Sequence, residues 1–173
     1  MNEAKILIIE DTQSIRDELR DILRFEGMEV ITAENGQEGI DVAKKEHPDL
    51  ILCDIMMPVL DGYCVLQIIS KNLELQHIPF IFLSAKSERS DLRKGMEMGA
   101  DDFITKPFTD AELINAIHTR LEKAKQNKTN SVKGIDCWYQ ILTDLGKKDE
   151  MQNTIVQHDI IEYKKKQIIY AEG

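Results

Sequence analysis

The fold of this chain is decided by the stretch Leu50-Ile51-Leu52-Cys53-Asp54-Ile55-Met56-Met57-Pro58. A short apolar run of this kind is typical of a strand buried on both faces, and such strands belong to parallel sheets covered by helices. Asp54 therefore lies at the carboxyl end of a predicted strand. Ligands of open α/β sheets bind outside these carboxyl ends. Asp54 is thus a candidate reactive group, and the alternative is that it only ends the strand.

Other apolar runs along the chain also end in polar residues. Residues 6–9, 80–83 and 103–105 are the predicted strands, and each is followed directly by an acid, a hydroxyl or a lysine. Parallel strands of one sheet have their carboxyl ends at the same edge. The sequence therefore predicts one pocket that collects Glu10, Asp11, Asp54, Ser84 and Lys106.

Helical patterns alternate with the predicted strands. Apolar residues recur at helical spacing after Asp11, and Gly27 ends that helix before a strand at residues 28–32. Further helices are predicted at residues 36–46, after Gly62, near residues 90–98 and after Thr109, where Thr109 and Glu112 form a capping box. Five strand–helix units predict an α/β fold with right-handed crossovers. Leu113, Ile117 and Leu121 are the predicted core stripe of the final helix.

Composition excludes several classes of protein. With 42% hydrophobic and 31% charged residues, the chain has the balance of a soluble globular protein. It has no signal-peptide pattern, and no run approaches the roughly 20 apolar residues of a membrane span. Its three cysteines have no metal-binding spacing, which favours reduced thiols in a cytoplasmic protein.

The net charge of -9 is concentrated in the first 124 residues. Residues 125–173 contain eight lysines and seven acids, a net of +1, so about -10 falls on the preceding part. This balance argues against direct binding of a phosphate backbone by the first part and suits a divalent cation site. Carboxylates about 6 Å apart repel by roughly 3 kcal/mol per pair at an effective dielectric near 20, and a cation would relieve that repulsion.

The motifs together resemble those of a response regulator receiver domain over residues 3–124. The resemblance rests on residues 8–11, on the Asp54-to-Gly62 motif, on Leu83-Ser84-Ala85 and on residues 99–108. It implies a doubly wound, flavodoxin-like sheet of five parallel strands in the order 2-1-3-4-5. The residues alone predict the alternation of strands and helices but not this order.

The resemblance also implies a phosphoryl-transfer site. Asp54 would be the phosphoacceptor, which receives a phosphoryl group from a phosphohistidine of a histidine kinase or phosphotransfer protein. Mg2+ (or Mn2+) would be bound by Asp11, Asp54 and the backbone carbonyl of Met56, with Glu10 holding a coordinated water. Lys106 would neutralise charge on the transferred group.

Further roles implied by the resemblance concern the response to phosphorylation. Ser84 would donate its hydroxyl to the phosphoryl group, Ala85 would leave that group accessible, and Phe103 would be the aromatic switch. The peptide bond before Pro107 would be cis. The readout surface would be the helix near residues 90–98, the fifth strand and the final helix, which would support a phosphorylation-dependent homodimer. Ala116 departs from one subfamily, in which a basic residue at this position helps dimerisation.

Residues after the first domain are predicted to form a linker and an extension. Residues 1–124 are the predicted receiver domain, 125–134 a linker or the frayed end of the helix, and 135–173 a C-terminal extension. The last ten residues resemble the entry strand of a cyclic-nucleotide-binding-type β-roll of catabolite-activator-like transcription factors. We therefore expect a chain that stops where an output domain begins, and contact with DNA only through that absent domain.

The preferred function is a phosphorylation-driven switch that controls an output such as transcription, with slow self-dephosphorylation but no enzymatic turnover. A second hypothesis is a phosphohydrolase with an aspartyl-phosphate intermediate. Such enzymes typically carry a general-acid Asp two residues after the nucleophile, where this chain has Met56. A stand-alone receiver that regulates by protein contact is a third hypothesis, and a receiver-like domain that is never phosphorylated is a fourth. A nucleotide-binding domain is disfavoured because no Gly-rich loop follows the first strand.

Overall fold

The computed structural model of the protein describes residues 3–85 and 95–144, with residues 128–144 described by their backbone only. Residues 95–97 are helical, and the first part of the helix predicted near residues 90–98 lies outside the described residues. The strands are β1 (Lys5–Ile9), β2 (Glu29–Ala33), β3 (Leu50–Asp54), β4 (Phe80–Ser84) and β5 (Asp102–Thr105). The helices are α1 (Gln13–Phe25), α2 (Gly36–Glu46), α3 (Gly62–Lys71) and α4 (Asp110–Asp144).

All five strands form one parallel sheet in the order β2-β1-β3-β4-β5, which confirms the predicted fold. In the register of the sheet, Ile9 pairs with Cys53 and Asp54 pairs with Leu83. Ser84 pairs in turn with Thr105. The carboxyl ends of β1, β3, β4 and β5 therefore lie at one edge of the sheet, as the sequence predicts.

Each face of the sheet has its own hydrophobic core. Alternate residues of β1 contribute to opposite faces, with Leu7 and Ile9 in one core and Ile6 and Ile8 in the other. The first core contains buried residues of α2 and α3, and the second contains buried residues of α1 and α4. Burial on both faces explains why the strands are apolar throughout. The predicted stripe of the final helix, Leu113, Ile117 and Leu121, is buried in the second core.

Side chains cap the helices that begin near the site. The Asp61 carboxylate accepts a hydrogen bond of 2.8 Å from the backbone N–H of Cys64 at the start of α3. At the start of α4, the Glu112 carboxylate accepts the backbone N–H of Thr109 at 2.8 Å, and the Thr109 hydroxyl accepts the N–H of Glu112 at 3.3 Å. The predicted capping box is therefore confirmed.

The connection between β3 and α3 is closed tightly on itself. The Gly62 N–H donates to the Ile55 carbonyl at 3.0 Å, and a Cβ atom at Gly62 would lie 2.4 Å from the Asp54 carbonyl oxygen. At the tip of this loop Val59 has a φ of 69°, and the Leu60 N–H donates to the Pro58 carbonyl at 2.8 Å. This combination indicates a γ-turn of the rarer form with positive φ, which is strained for a β-branched residue. The loop after Asp54 thus holds a conformation that local preferences disfavour.

The chain divides into two compact units, residues 1–127 and 128–173. Residues 125–134, which the sequence predicts as a linker or frayed helix end, are helical because α4 continues to Asp144. This stretch contains no proline, and its lysines and glutamine favour a helix, whereas its asparagine, threonine, serine and glycine residues do not. The predicted extension at residues 135–173 lies mostly outside the described residues. Among the described helices, none has an apolar segment of the length that crossing a bilayer requires.

Candidate functional site

The ammonium group of Lys106 joins two carboxylates at the carboxyl edge of the sheet. Its Nζ atom donates to Glu10 Oε2 and to Asp54 Oδ1, each at 2.6 Å. Glu10 follows β1, Asp54 ends β3, and Lys106 follows β5. The Lys106 backbone N–H also donates to the Ser84 carbonyl at 2.7 Å, which ties the lysine to the end of β4. Groups from four strands therefore meet at one place.

Burial strengthens the interactions between these charged groups. Glu10 is 1% exposed and Asp54 is 6% exposed, and charge-assisted hydrogen bonds gain strength where water is scarce. Two carboxylates face one ammonium group, so this group of three carries a formal charge of -1 when all are ionised. An excess of buried negative charge attracts a further cation.

The pKa values of Glu10 and Lys106 depend on their burial and on the ion pair between them. Burial raises the pKa of Glu10 above its usual range, although the hydrogen bond and attraction from Lys106 act in the opposite direction. Burial would lower the pKa of Lys106, but its hydrogen bonds to Asp54 and Glu10 and their negative charges outweigh burial and raise that pKa. Lys106 is therefore a cation at neutral pH.

Asp54 is held by its neighbours in sequence as well as by Lys106. Its Oδ2 atom accepts the backbone N–H of Met56 at 2.6 Å, and its backbone carbonyl accepts the Cys53 thiol at 3.2 Å. Cys53 is fully buried, and burial raises the pKa of its thiol well above the usual value. The Met56 side chain, in contrast, is 59% exposed. The carboxylate is thus fixed in orientation at the point where the chain leaves the core.

The turn that carries Asp11 is tied to the first helix. The Arg16 Nη1 atom donates to the Glu10 carbonyl at 2.5 Å and to the Asp11 carbonyl at 3.2 Å. The Asp11 side chain is exposed, and the Thr12 hydroxyl donates to its Oδ1 atom at 3.4 Å. The Thr12 N–H donates to Glu10 Oε1 at 3.3 Å. Arg16 was not among the predicted site residues.

One signal in the sequence could have drawn attention to Arg16. The first turn of a helix favours anions, because its backbone N–H groups carry partial positive charge. Arg16 lies in the first turns of α1, where no acidic residue occupies the first turn. A cation in this position needs an acceptor nearby, and the carbonyls of the preceding turn are the closest candidates.

The remaining predicted residues lie around the same edge. Ser84 is buried at the end of β4, and Ala85 directly after it is exposed. Phe103 is half-buried on β5, where its ring lies 6.1 Å from the ring of Phe82 at an angle of 57°. The Lys106–Pro107 peptide bond is cis.

The chemistry of the site suits a hard divalent cation. Carboxylate and carbonyl oxygens are the ligands that such ions prefer, and the predicted set consists of Asp11, Asp54 and the Met56 carbonyl. Within residues 3–85 and 95–144, no group of three or more Asp, Glu, His or Cys side chains is arranged to hold a metal ion. The predicted set does not require such a group, because one of its three direct ligands is a main-chain oxygen. The excess negative charge around Lys106 is the observation that fits a cation here.

Comparison with known proteins identifies the family of the chain. Residues 6–118 match the response regulator receiver domain family. The chain belongs to this family. Receiver domains are phosphoacceptor modules of two-component systems, which generally bind magnesium at the phosphorylation site and interact with histidine kinases or phosphotransfer proteins. The interpretation of the sequence as a two-component response regulator is therefore confirmed.

Curated relatives of this chain carry the name of a transcriptional regulator. A protein of Porphyridium aerugineum named "Probable transcriptional regulator ycf27" is 43% identical over 138 residues, which are 78% of this chain and 56% of the relative. A protein of the same name from Porphyra purpurea is 44% identical over 128 residues, which are 74% of this chain and 51% of the relative. The chain spans just over half the length of these relatives.

Solved structures of several receiver domains have the same fold. A response regulator from Chloroflexus aurantiacus is 30% identical, with a TM-score of 0.68 over 70% of this chain and 99% of that one. Chemotaxis protein CheY4 of Vibrio cholerae is 28% identical, with a TM-score of 0.66 over 68% of this chain and 98% of that one. Both solved chains are thus matched over almost their full length, and the matches cover about 70% of this chain.

Proposed function

We propose that this receiver domain accepts a phosphoryl group on Asp54 from a phosphohistidine of a histidine kinase or phosphotransfer protein. The observation that supports this most strongly is the Lys106 ammonium group, 2.6 Å from both Asp54 and Glu10. It provides a cation beside the acceptor carboxylate, where charge develops on the transferred group. The family of the chain supports the same chemistry.

In the transfer step an Asp54 carboxylate oxygen attacks phosphorus and forms the new bond. The bond from phosphorus to the donor imidazole nitrogen breaks, and its electron pair stays with the imidazole of the partner. Asp11, Asp54 and the Met56 carbonyl are the groups that would hold Mg2+ (or Mn2+), and Glu10 would hold a coordinated water. Bound magnesium supplies positive charge to the transferred oxygens. After the transfer, the Lys106 ammonium group forms its ion pair with the phosphoryl oxygens in place of the Asp54 carboxylate.

The phosphoryl group adds about -1.5 to -2 charges at neutral pH. The Ser84 hydroxyl donates to it, Ala85 leaves room for it, and Phe103 changes its packing against Phe82. Moving an equilibrium from 1:99 to 99:1 needs about 5.5 kcal/mol of differential binding. One charged hydrogen bond, one ion pair and one aromatic ring can together supply free energy of this size.

The altered surface then controls an output. The surface consists of the segment that contains residues 95–97, β5 and the first turns of α4, and it supports phosphorylation-dependent pairing of two chains. The names of the relatives support transcription as the output. Contact with DNA then belongs to residues beyond the receiver domain, and the receiver domain itself operates in the cytoplasm.

Intact-mass measurement after incubation with acetyl phosphate and magnesium tests the proposal. We expect the wild type to gain the mass of one phosphoryl group and Asp54→Ala to gain none. Asp41→Ala, which removes an exposed carboxylate of α2, is the matched control and should gain the group as the wild type does. An equal adduct in Asp54→Ala would exclude Asp54 as the acceptor.

A turnover assay separates this proposal from the phosphohydrolase hypothesis. The exposed Met56 side chain stands where such enzymes typically carry a general acid, so we expect slow loss of the phosphoryl group from Asp54 and no sustained hydrolysis of added phosphate esters. Steady hydrolysis of such esters over many turnovers would favour the enzyme.

A further inference from the structure

The two peptide groups on either side of the Asp11 Cα atom are held by the same side chain. The Glu10 carbonyl belongs to the peptide group before Asp11, and the Asp11 carbonyl belongs to the one after it. Arg16 Nη1 donates to both, at 2.5 Å and 3.2 Å. Two fixed peptide planes set the φ and ψ of Asp11, and these angles determine the direction in which its side chain leaves the main chain.

Arg16 itself is anchored to the core. It belongs to α1, whose Leu19 and Leu23 are buried, and its backbone N–H donates to the Thr12 carbonyl at 3.0 Å. The Asp11 side chain, in contrast, is exposed and receives a 3.4 Å contact from the Thr12 hydroxyl. The main chain therefore restrains Asp11 more than its side-chain contacts do, and Arg16 transmits the rigidity of α1 to that main chain.

We propose that Arg16 is a positioning residue that orients the Asp11 carboxylate for the divalent cation. This inference rests on the proposed function, because it assigns the cation to Asp11. Arg16 binds no substrate and no metal. It acts through the two carbonyl oxygens of the acidic turn, in the way that outer residues orient metal ligands in many metalloproteins.

Charge and positioning predict opposite effects of removing Arg16, which makes the proposal sharply testable. The guanidinium group is a positive charge beside a cation site, so its charge alone weakens magnesium binding. If charge were its only influence, Arg16→Gln would bind magnesium more tightly than the wild type. If Arg16 positions Asp11, the same variant binds magnesium more weakly.

Calorimetric titration of magnesium into the unphosphorylated protein, as the full chain, measures this. We expect Arg16→Gln to raise the magnesium Kd about 10-fold, the lower end of the usual loss when a ligand-orienting partner is removed. Arg16→Lys keeps the charge but lacks the planar fork of donors, so it should also bind more weakly, by a smaller factor. At saturating magnesium, both variants should recover the phosphoryl adduct of the wild type.

Arg20→Gln is the matched control. Arg20 lies one helical turn further along α1 and pairs with Asp17 at 2.7 Å and with Asp21 at 3.4 Å, so its replacement removes the same charge without touching the acidic turn. The Kd of this variant for magnesium should stay within about twofold of the wild type. Urea unfolding of the wild type and the three variants establishes that each is folded. If Arg16→Gln does not fold, the magnesium Kd of Arg16→Lys alone tests the proposal.

The outcomes separate this inference from the proposed function. Unchanged or tighter magnesium binding by the folded Arg16 variants would overturn the positioning role while leaving phosphorylation of Asp54 intact. Equal weakening by Arg20→Gln would also overturn it, because the effect would then come from a general disturbance of α1 and not from the contacts of Arg16 with the acidic turn. If the wild type itself bound no magnesium and gained no phosphoryl group, the proposed function would fail.

Discussion

Lys106 is one cation shared by two buried carboxylates, so its removal should cost more than the loss of an ordinary surface ion pair. Lys106→Met leaves Glu10 and Asp54 buried without a counter-charge. We expect the free energy of unfolding at pH 7 to fall by about 3–5 kcal/mol in the absence of magnesium, measured by urea denaturation. Lys45→Met removes an exposed lysine 3.7 Å from Glu46 and should change it by about 0.5 kcal/mol or less. If Lys106→Met lost as little stability as Lys45→Met, the ion pairs of Lys106 with Glu10 and Asp54 would contribute little to folding.

The same lysine gives a pH dependence of known sign. Its pKa in the folded protein lies above the usual 10.5 because Asp54 and Glu10 outweigh burial. The stability that it contributes is fully present below pH 10.5 and is lost as the pH rises through the folded pKa. The difference in unfolding free energy between wild type and Lys106→Met should therefore shrink above pH 10.5. A difference that stays constant through this range would contradict the raised pKa.

Asp11 provides a separate prediction for magnesium. Bound cation stabilises the folded state because it binds the folded and not the unfolded chain. Magnesium should raise the melting temperature of the wild type, and should raise it less for Asp11→Ala, in scanning calorimetry. Asp41→Ala, on the surface of α2, should keep the full rise. Equal rises in wild type and Asp11→Ala would refute Asp11 as a ligand.

Single residues differ in how far the sequence could predict them. Glu10, Asp54 and Lys106 each follow an apolar run, so the common edge of a parallel sheet brings them together without coordinates. The place of Arg16 in the first turns of α1 is a signal in the sequence, but its acceptors are main-chain carbonyls, which every residue has and which no sequence pattern distinguishes. Its role depends on the angle at which α1 leaves the turn, and that angle is visible only in three dimensions.

The loop between β3 and α3 should gain stability when its strained residue is replaced. Val59 has a φ of 69° and Gly27, after α1, has a φ of 78°. Strain of this kind costs roughly 1–3 kcal/mol, so Val59→Gly should raise the free energy of unfolding by about 1 kcal/mol after the greater chain entropy of glycine is subtracted. Gly27→Ala introduces a side chain at a positive φ and should lower the free energy of unfolding by about 1 kcal/mol. Urea denaturation of both variants measures this, and a loss of stability in Val59→Gly would show that the turn is not strained.

Elements were predicted well where local signals agree with the tertiary structure. Gly27 ends α1 as its conformational freedom suggests, and the observed β2 and β5 differ by one residue from the predicted strands at residues 28–32 and 103–105. Val59 shows the limit, because a β-branched residue gives no local signal for positive φ. The closure of the loop through Gly62 and Ile55 imposes that conformation. Residues 125–134 are a second limit, since their polar, unpatterned sequence left a linker and a frayed helix end as alternatives, and α4 continues through them.

For the whole molecule, the two core clusters lie within the unit formed by residues 1–127. A chain that ends at Asn127 should therefore fold and accept a phosphoryl group on Asp54 from acetyl phosphate with magnesium. Intact-mass measurement and thermal unfolding test this, with the Asp54→Ala version of the shorter chain as the control. Failure of the shorter chain to fold would mean that the later residues complete the domain.

At this scale the sequence predicted the alternation of strands and helices from its own periodicity. The order of the strands came from the resemblance to receiver domains, since right-handed crossovers alone allow the chain to move either way along the sheet. The observed order β2-β1-β3-β4-β5 reverses direction after β2, between β1 and β3. Glu10 and Asp54 come from the two strands on either side of that reversal and both contact Lys106, so topology and chemistry are linked in this protein.

The burial of Cys53 gives this sheet an internal reporter. Its thiol lies beside the Asp54 backbone with no exposed surface, whereas Cys64 on α3 is exposed. Alkylating reagents need both access and a thiolate, so they can modify Cys53 only while β3 is transiently open. In a chain with Cys137 replaced by serine, the labelling rate of Cys53 relative to Cys64 would measure how often the strand that ends in Asp54 separates from its neighbours.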